Sequence, residues 1–220
     1  MAKDLAIVLN NGSINSAVAS ALAGQRYRLV LMHAETAAQP GSRARGAYDQ
    51  QVAHFKPYRE HTISMPFLAA IRDDSVAAAT AADPRRGAML GRQLTDLLPL
   101  IATAARFAAH YQAAAIYLGL RIGAHGDELA QATEFGQVWN ELLQLPCAMG
   151  ELELVMPLLE LDPWQVVDVG FQVGAPFERT WSCLGEAPEP CWACPACRAR
   201  EAAFTQAAKL DPMRAAGRKA

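Results

Sequence analysis

"DLAIVLNNGSINSAVASALAG", residues 4–24, is the stretch whose reading decides the fold. Its first six residues form a short apolar run of the kind a parallel sheet buries on both faces. "NNGSIN" is a turn, and residues 16–23 read as a helix closed by Gly24. A strand that turns directly into a helix opens a βαβ unit, and the chain repeats the alternation. "RLVLMHA" (28–34) is the second strand. "PGSRARG" is a loop, "AYDQQVAHF" a helix with Pro57 beyond it, and "HTISM" (61–65) the third strand. Residues 71–86, Ala-rich and weakly patterned, read as a mobile loop with some helix. Residues 93–112 form a long helix with a kink expected at Pro99. "AAIYLGL" (114–120) is the fourth strand, residues 134–144 a helix, and "ELVMPL" the fifth strand. "DPWQVVDVGFQVG" is a helix with Asp162 as cap and Pro163 in its first turn. This alternation predicts an α/β fold with a doubly wound parallel sheet. No repeat or low-complexity linker divides the chain. One α/β unit over residues 1–180 is therefore expected, with a cysteine-bearing segment, 181–220, packed on it. From Leu210 onward the polar, basic end is expected to fray.

Composition narrows the class. The 220 residues are 52% hydrophobic and 19% charged, enough to build a core under a polar surface. A net charge of −2 gives no basic field that would advertise nucleic acid. No stretch approaches the roughly 18 apolar residues of a membrane span, and the start of the chain is no signal peptide. Five cysteines, four of them clustered, do not make a secreted disulfide framework. A cytoplasmic setting is the expectation.

The four lie as Cys183-x7-Cys191-x2-Cys194-x2-Cys197. Four thiolates on a tetrahedral ion make a closed, structural zinc site. An iron–sulfur cluster is the rival, since C-x2-C-x2-C also serves ferredoxins, and disulfides are the bland alternative. Arg198 and Arg200 stand close enough in sequence to offset the thiolate charge. Cys147, beside Pro146, reads as a small buried apolar residue.

The turn after the first strand is where an α/β sheet offers backbone N–H groups and a helix N-terminus to phosphates. Here it reads Asn11, Gly12, Ser13, Ile14, Asn15, Ser16, neither a Walker nor a Rossmann loop. Without other support it is an ordinary strand–helix turn capped by Asn15. It resembles the S-G-G-x-D-S loop of N-type ATP pyrophosphatases: Gly12 and Ser16 match, while Asn11, Ser13 and Asn15 stand for Ser, Gly and Asp. Combined with the cysteine spacing, the chain is similar to the 7-cyano-7-deazaguanine synthase family of that superfamily. "GRQ" (91–93) looks like the family's G-R-N, which includes Arg92. "YLGL", Glu134 with Phe135, and Asn140 follow at similar spacings. "MPLLELD" (156–162), "RTWSC" and "CRAREAAF", through Arg200 and Phe204, complete the match.

The resemblance implies an adenine-nucleotide alpha-hydrolase (HUP-like) fold with a C-terminal zinc-binding helical segment, and a homodimer. It implies a ligase using ATP and magnesium that activates 7-carboxy-7-deazaguanine as an adenylate and aminates it to the nitrile. Asn11 through Ser16 and Arg92 would hold the nucleotide, and Cys183, Cys191, Cys194 and Cys197 the zinc. The departures fall on this chemistry. Asn15 brings no negative charge toward magnesium. Ser13 replaces a glycine where positive φ or close phosphate approach is expected. Ala124 stands for an acid, Glu128 to Ala132 for a Y-P-D-C-R-like stretch, and Pro163 for a lysine. "MHAETAAQ" (32–39) replaces an acidic–aromatic segment. A remaining polar set, including His33, Glu35, His125, Asp127 and Glu128, is available for altered chemistry. Two functions are therefore weighed. One is a working ligase; the other is a non-catalytic relative that keeps the metal and binds a nucleotide or a protein partner.

Overall fold

The computed structural model of the chain describes residues 4–36, 42–70, 86–124, 126–145, 151–185 and 187–216. Within them β1 (Leu5–Leu9), β2 (Arg28–Glu35), β3 (Arg59–Ser64), β4 (Ala115–Leu118) and β5 (Glu153–Val155) form one sheet. Its order is β3-β2-β1-β4-β5 and every pairing is parallel. The doubly wound sheet expected from the alternation is present.

Helices cover both faces, so β1 and β4 are apolar throughout and β2 is apolar over Leu29–Met32. All five residues of β1 are buried. Ile7, Met32, Ile116 and Leu154 face one core with α4 (Arg86–Tyr111) and α5 (Asp127–Gln144), through Ile101, Ala104, Ala132 and Leu143. The alternate residues Ala6, Val8, Leu31 and Tyr117 face α1 (Ile14–Gly24) and α2 (Arg43–Phe55) through Ala23 and Tyr48. A third cluster joins Val18 of α1 to Val166 and Val167 of α6 (Pro163–Gln172). It also takes in Phe177 and Phe204, the latter on α7 (Pro195–Gln206). The cysteine-bearing segment is thus packed on the sheet's helical layer through its own aromatic residue.

Several boundaries move. α1 begins at Ile14, with Ser13 and not Asn15 as its cap, and Gly24 is its last turn rather than a residue beyond it. α2 starts at Arg43, because Ser42 accepts from the Arg45 N–H; "SRARG" is its first turn and not a loop. α4 begins before "GRQ" and runs through Pro99. β5 stops at Val155. α5 begins at Asp127, seven residues earlier than the apolar pattern indicates. The Asp162 cap holds: Gln165 Oε1 accepts from the Asp162 N–H at 2.7 Å. A short helix, α3 (Phe67–Ala70), follows β3, and α8 (Pro212–Ala216) closes the described chain where fraying was expected. Of the loop expected over 71–86, residues 71–85 lie outside the described residues, as does Cys147, and Arg86 opens α4. Among the described residues no helix is long and apolar enough to cross a membrane.

Candidate functional site: the switch-point loop and the cysteine cluster

Neighbours β1 and β4 send their chains to opposite faces of the sheet, which opens a crevice beyond their C-terminal ends, the usual ligand position of such folds. The loop after β1 forms its floor. Asn10, buried, organises that loop. Its amide donates to Ser20 Oγ at 3.0 Å and Gln51 Oε1 at 2.8 Å. Its oxygen accepts from the Gly12 N–H at 2.8 Å and lies 3.1 Å from Ser16 Oγ. Gly12 takes φ +80°, and a Cβ there would run into Ala44 O. Ser13 has φ −79° and caps α1, accepting from the Ser16 N–H. The left-handed position is therefore Gly12 alone, and Ser13 occupies ordinary extended backbone. Asn11 Oδ1 folds back to accept from the Ser13 N–H at 3.1 Å. Among the described residues the N–H groups of Ile14 and Asn15, in the first turn of α1, have no protein acceptor. They are the donors left for an anion.

Above this turn lies a cavity of about 350 Å³. Asn11, Ser13, Asn15 and Ser16 line its floor; Met32, Leu97, Leu100 and Leu120 give an apolar wall; Gln93 and Arg121 add polar groups. Gly119 closes the joint between β4 and α1, since a Cβ on it would sit 2.8 Å from the carbonyl carbon and oxygen of Asn15. No Asp or Glu is among the described lining residues. The described lining therefore offers no side-chain carboxylate to hold a magnesium ion.

Of the residues expected to hold nucleotide, Asn11, Ser13, Asn15 and Ser16 meet at this cavity. Gly12 lies beneath it as the turn, and Ile14 is not among the lining residues but packs against the cluster that holds Val18, Val166 and Phe177. Arg92 lies on α4 next to Gln93. His33 and Glu35 point away, toward α2. His33 Nδ1 is 2.9 Å from Asn10 O, its ring stacks on Tyr48, and burial lowers its pKa. Glu35 pairs with Arg45 at 3.2 Å. Asp127 and Glu128 open α5, and Ala132 is buried in the core, so the segment read as a base-binding stretch is largely helix. A separate depression of about 710 Å³ runs along Ala124, Leu129, Thr133 and Glu134. His125 lies outside the described residues. Asn140 is structural: its Oδ1 accepts from the Leu154 N–H at 2.7 Å and its Nδ2 donates to Leu154 O, clamping the edge strand β5. Arg121 and Asn10 escaped the sequence reading, while Gln93 entered it only as the last residue of "GRQ". The signal for Arg121 was a charged residue directly after the buried run that ends in Gly119 and Leu120.

The cysteines converge. The Sγ atoms of Cys183, Cys191, Cys194 and Cys197 all lie within 4.8 Å of one another, and the group could hold a metal ion. Cys183 and Cys191 sulfurs are 3.5 Å apart. Backbone N–H groups point at the sulfurs: Gly185 and Cys191 at Cys183 Sγ, and Cys194 at Cys191 Sγ. Such donors favour the thiolate. The Cys191 N–H, ahead of that of Gly185, lowers the Cys183 thiol, and the Leu184 backbone lowers Cys194 to about 6. Burial pushes Cys197 up to about 12.

The expected charge compensation by Arg200 fails. Its guanidinium is buried and turned to Asp211, at 2.5 and 2.8 Å, with further bonds to Thr180 Oγ1 and Phe177 O. The segment also ties back to the loop, because the Trp181 N–H donates to Gly12 O at 2.9 Å. Gln51 adds a second tie, to Arg179 O at 3.1 Å.

A parallel sheet with a phosphate-type turn at its switch point defines a PP-loop-type α/β protein, here with an appended segment whose four cysteines could hold a metal ion. More narrowly, the chain belongs to the family described as queuosine biosynthesis protein QueC, whose model matches residues 5–208. It is 27% identical over 217 residues to a 7-cyano-7-deazaguanine synthase of Koribacter versatilis (strain Ellin345), covering 94% of this chain and 92% of that one. Against the enzyme of the same name from Aliarcobacter butzleri (strain RM4018) it is 24% identical over 216 residues, covering 95% and 94%. Among solved structures it is similar to the NMN synthetase of Francisella tularensis, with TM-score 0.48 and 13% identity over 95% of this chain and 79% of that one. A second is the U34-tRNA thiolase NcsA of Methanococcus maripaludis with its [4Fe-4S] cluster, with TM-score 0.45 and 13% identity. There the match covers 91% of this chain and 63% of that one, less than two thirds of the thiolase.

Proposed function

We propose that this chain is an ATP-dependent carbon–nitrogen ligase that activates a carboxylate at the switch-point cavity. The observation that carries the reading is the cradle: a cavity of about 350 Å³ over two N–H groups at the start of α1 that have no acceptor among the described residues, with Ile14 packed into a core cluster instead. Those amides and the positive end of α1 suit phosphate oxygens, and the wall of Met32, Leu97 and Leu100 suits a flat base. The family resemblance supplies the substrate of the proposal, 7-carboxy-7-deazaguanine, activated as its adenylate and aminated to amide and then nitrile. Cys183, Cys191, Cys194 and Cys197 would hold zinc. Tetrahedral Zn–S bonds of ~2.3 Å set sulfurs ~3.8 Å apart, which the cluster's spread of at most 4.8 Å supports. Four sulfurs on the separate irons of a cluster would stand farther apart. With four protein ligands the ion keeps no open position, so it would brace the segment rather than act on substrate. A cytoplasmic setting, which keeps thiols reduced, and a homodimer belong to the same proposal; a single-chain mass by light scattering would exclude the dimer.

Specific observations also favour a second reading, a family member that binds nucleotide or a protein partner without catalysis. Asn11 covers the Ser13 N–H, and the described lining of the cavity holds no carboxylate. The deciding experiment is release of AMP and pyrophosphate from ATP, with 7-carboxy-7-deazaguanine and ammonia present, with and without magnesium. AMP formed in step with amide or nitrile supports the ligase. ATP binding with no AMP supports the second reading.

A further inference from the structure

Arg121 is the cation among the described residues lining the cavity. The backbone on each side of it is fixed. Two residues earlier, Gly119 packs directly on the Asn15 carbonyl. Immediately after it, the N–H groups of Ile122 and Gly123 both donate to Leu159 O, at 2.9 and 3.0 Å. The side chain is half-buried and shares the cavity with Asn11, Ser13, Asn15 and Ser16. Among the described residues it has no hydrogen-bond or ion-pair partner. Burial lowers its pKa, while the charge of Asp162, the cap of α6, opposes that effect; Asp162 is not among the lining residues. A guanidinium carries five N–H donors in a planar fork, and partial burial without acceptors leaves them wanting an anion.

The same cavity has the opposite of what a phosphate-bound magnesium needs. Asn15 offers an amide, and no lining residue described offers a carboxylate. A divalent cation seated on the phosphates here would face Arg121 at short range with no carboxylate among the described lining residues beside it, whereas bare phosphate oxygens would accept its fork in pairs.

We infer that Arg121 is the phosphate-binding cation of this site, and that the cavity takes its nucleotide triphosphate as the metal-free anion. This rests on the nucleotide-site reading above. Arg121 supplies in fixed form the positive charge that the family resemblance assigns to magnesium, and the loop needs no acid because no metal is held there.

Isothermal titration of the full chain with ATP, once in EDTA and once in excess magnesium chloride, tests this. Binding in EDTA is expected to be at least as tight as with magnesium. Arg121→Gln should weaken the EDTA binding by about tenfold or more, the scale of a lost charge-assisted hydrogen bond. Arg121→Lys should recover part of it by keeping the charge. Binding that appears only with magnesium overturns the inference and leaves the nucleotide site standing. Absence of ATP binding in both conditions overturns the inference and the nucleotide-site reading together. Unchanged affinity in Arg121→Gln overturns the role of this residue. Should that variant fail to fold, the wild-type pair and Arg121→Lys still decide.

Discussion

Gly12 and Ser13 stand side by side in the loop and ask opposite things of the backbone. Gly12 holds φ +80° with the first turn of α2 pressed on it, and its carbonyl accepts from Trp181. An alanine there meets both left-handed strain and Ala44 O. Gly12→Ala should cost at least about 2 kcal/mol in urea unfolding; a change below ~0.5 kcal/mol would contradict this geometry. Ser13→Gly, although it restores the family's residue, should cost only a few tenths of a kcal/mol by weakening the cap. The match of Gly12 and Ser16 to a phosphate loop was legible in the sequence, because such turns have a fixed spacing. Which of two adjacent positions bears the positive φ was not, because it depends on how closely α2 approaches. Arg121 was illegible for a related reason: the residues after a strand reveal their direction only once the next helix is placed.

Strands were easier to read than helix beginnings. A strand buried on both faces, such as β1 or β4, is an apolar run, and all five strands emerged with small shifts at their ends. The first turns of α2 and α5 are polar, and their starts are set by Ser42 and by Gly126, so apolar periodicity begins only a turn or two later. The C-terminal end misled for the reverse reason. Its composition suggests fraying, yet Asp211 is buried against Arg200 just ahead of α8. That pair joins α7 to α8, and Arg200 also bonds to Thr180 and Phe177. Asp211→Asn would leave a buried guanidinium without its charge partner, a change that costs about 3 kcal/mol or more. The loss should appear as a lowered urea midpoint with an unchanged slope. A midpoint within error of wild type would show that the pair is solvated in solution.

Across the whole molecule, the cysteine-bearing segment and the loop after β1 are joined by hydrogen bonds, from the Trp181 N–H to Gly12 O and from Gln51 to Arg179 O. Purified protein should carry about one zinc per chain, and iron with sulfide on elemental analysis would refute zinc. Stripping the ion with a chelator should lower the thermal midpoint and speed hydrogen exchange at the Trp181 amide as well as at the cysteines. Exchange confined to residues 183–197 would mean that the two sites are mechanically separate. The position of β1 carries a different consequence, one that concerns how the chain is made. β1 is the central strand and pairs with β2 soon after it in sequence, but its other edge waits for β4, about 100 residues later. At roughly 5–20 residues per second of translation, a fully apolar edge stays open on the ribosome for about 5–20 seconds. Over that interval the nascent chain presents the strand edge to which chaperones and aggregating neighbours bind.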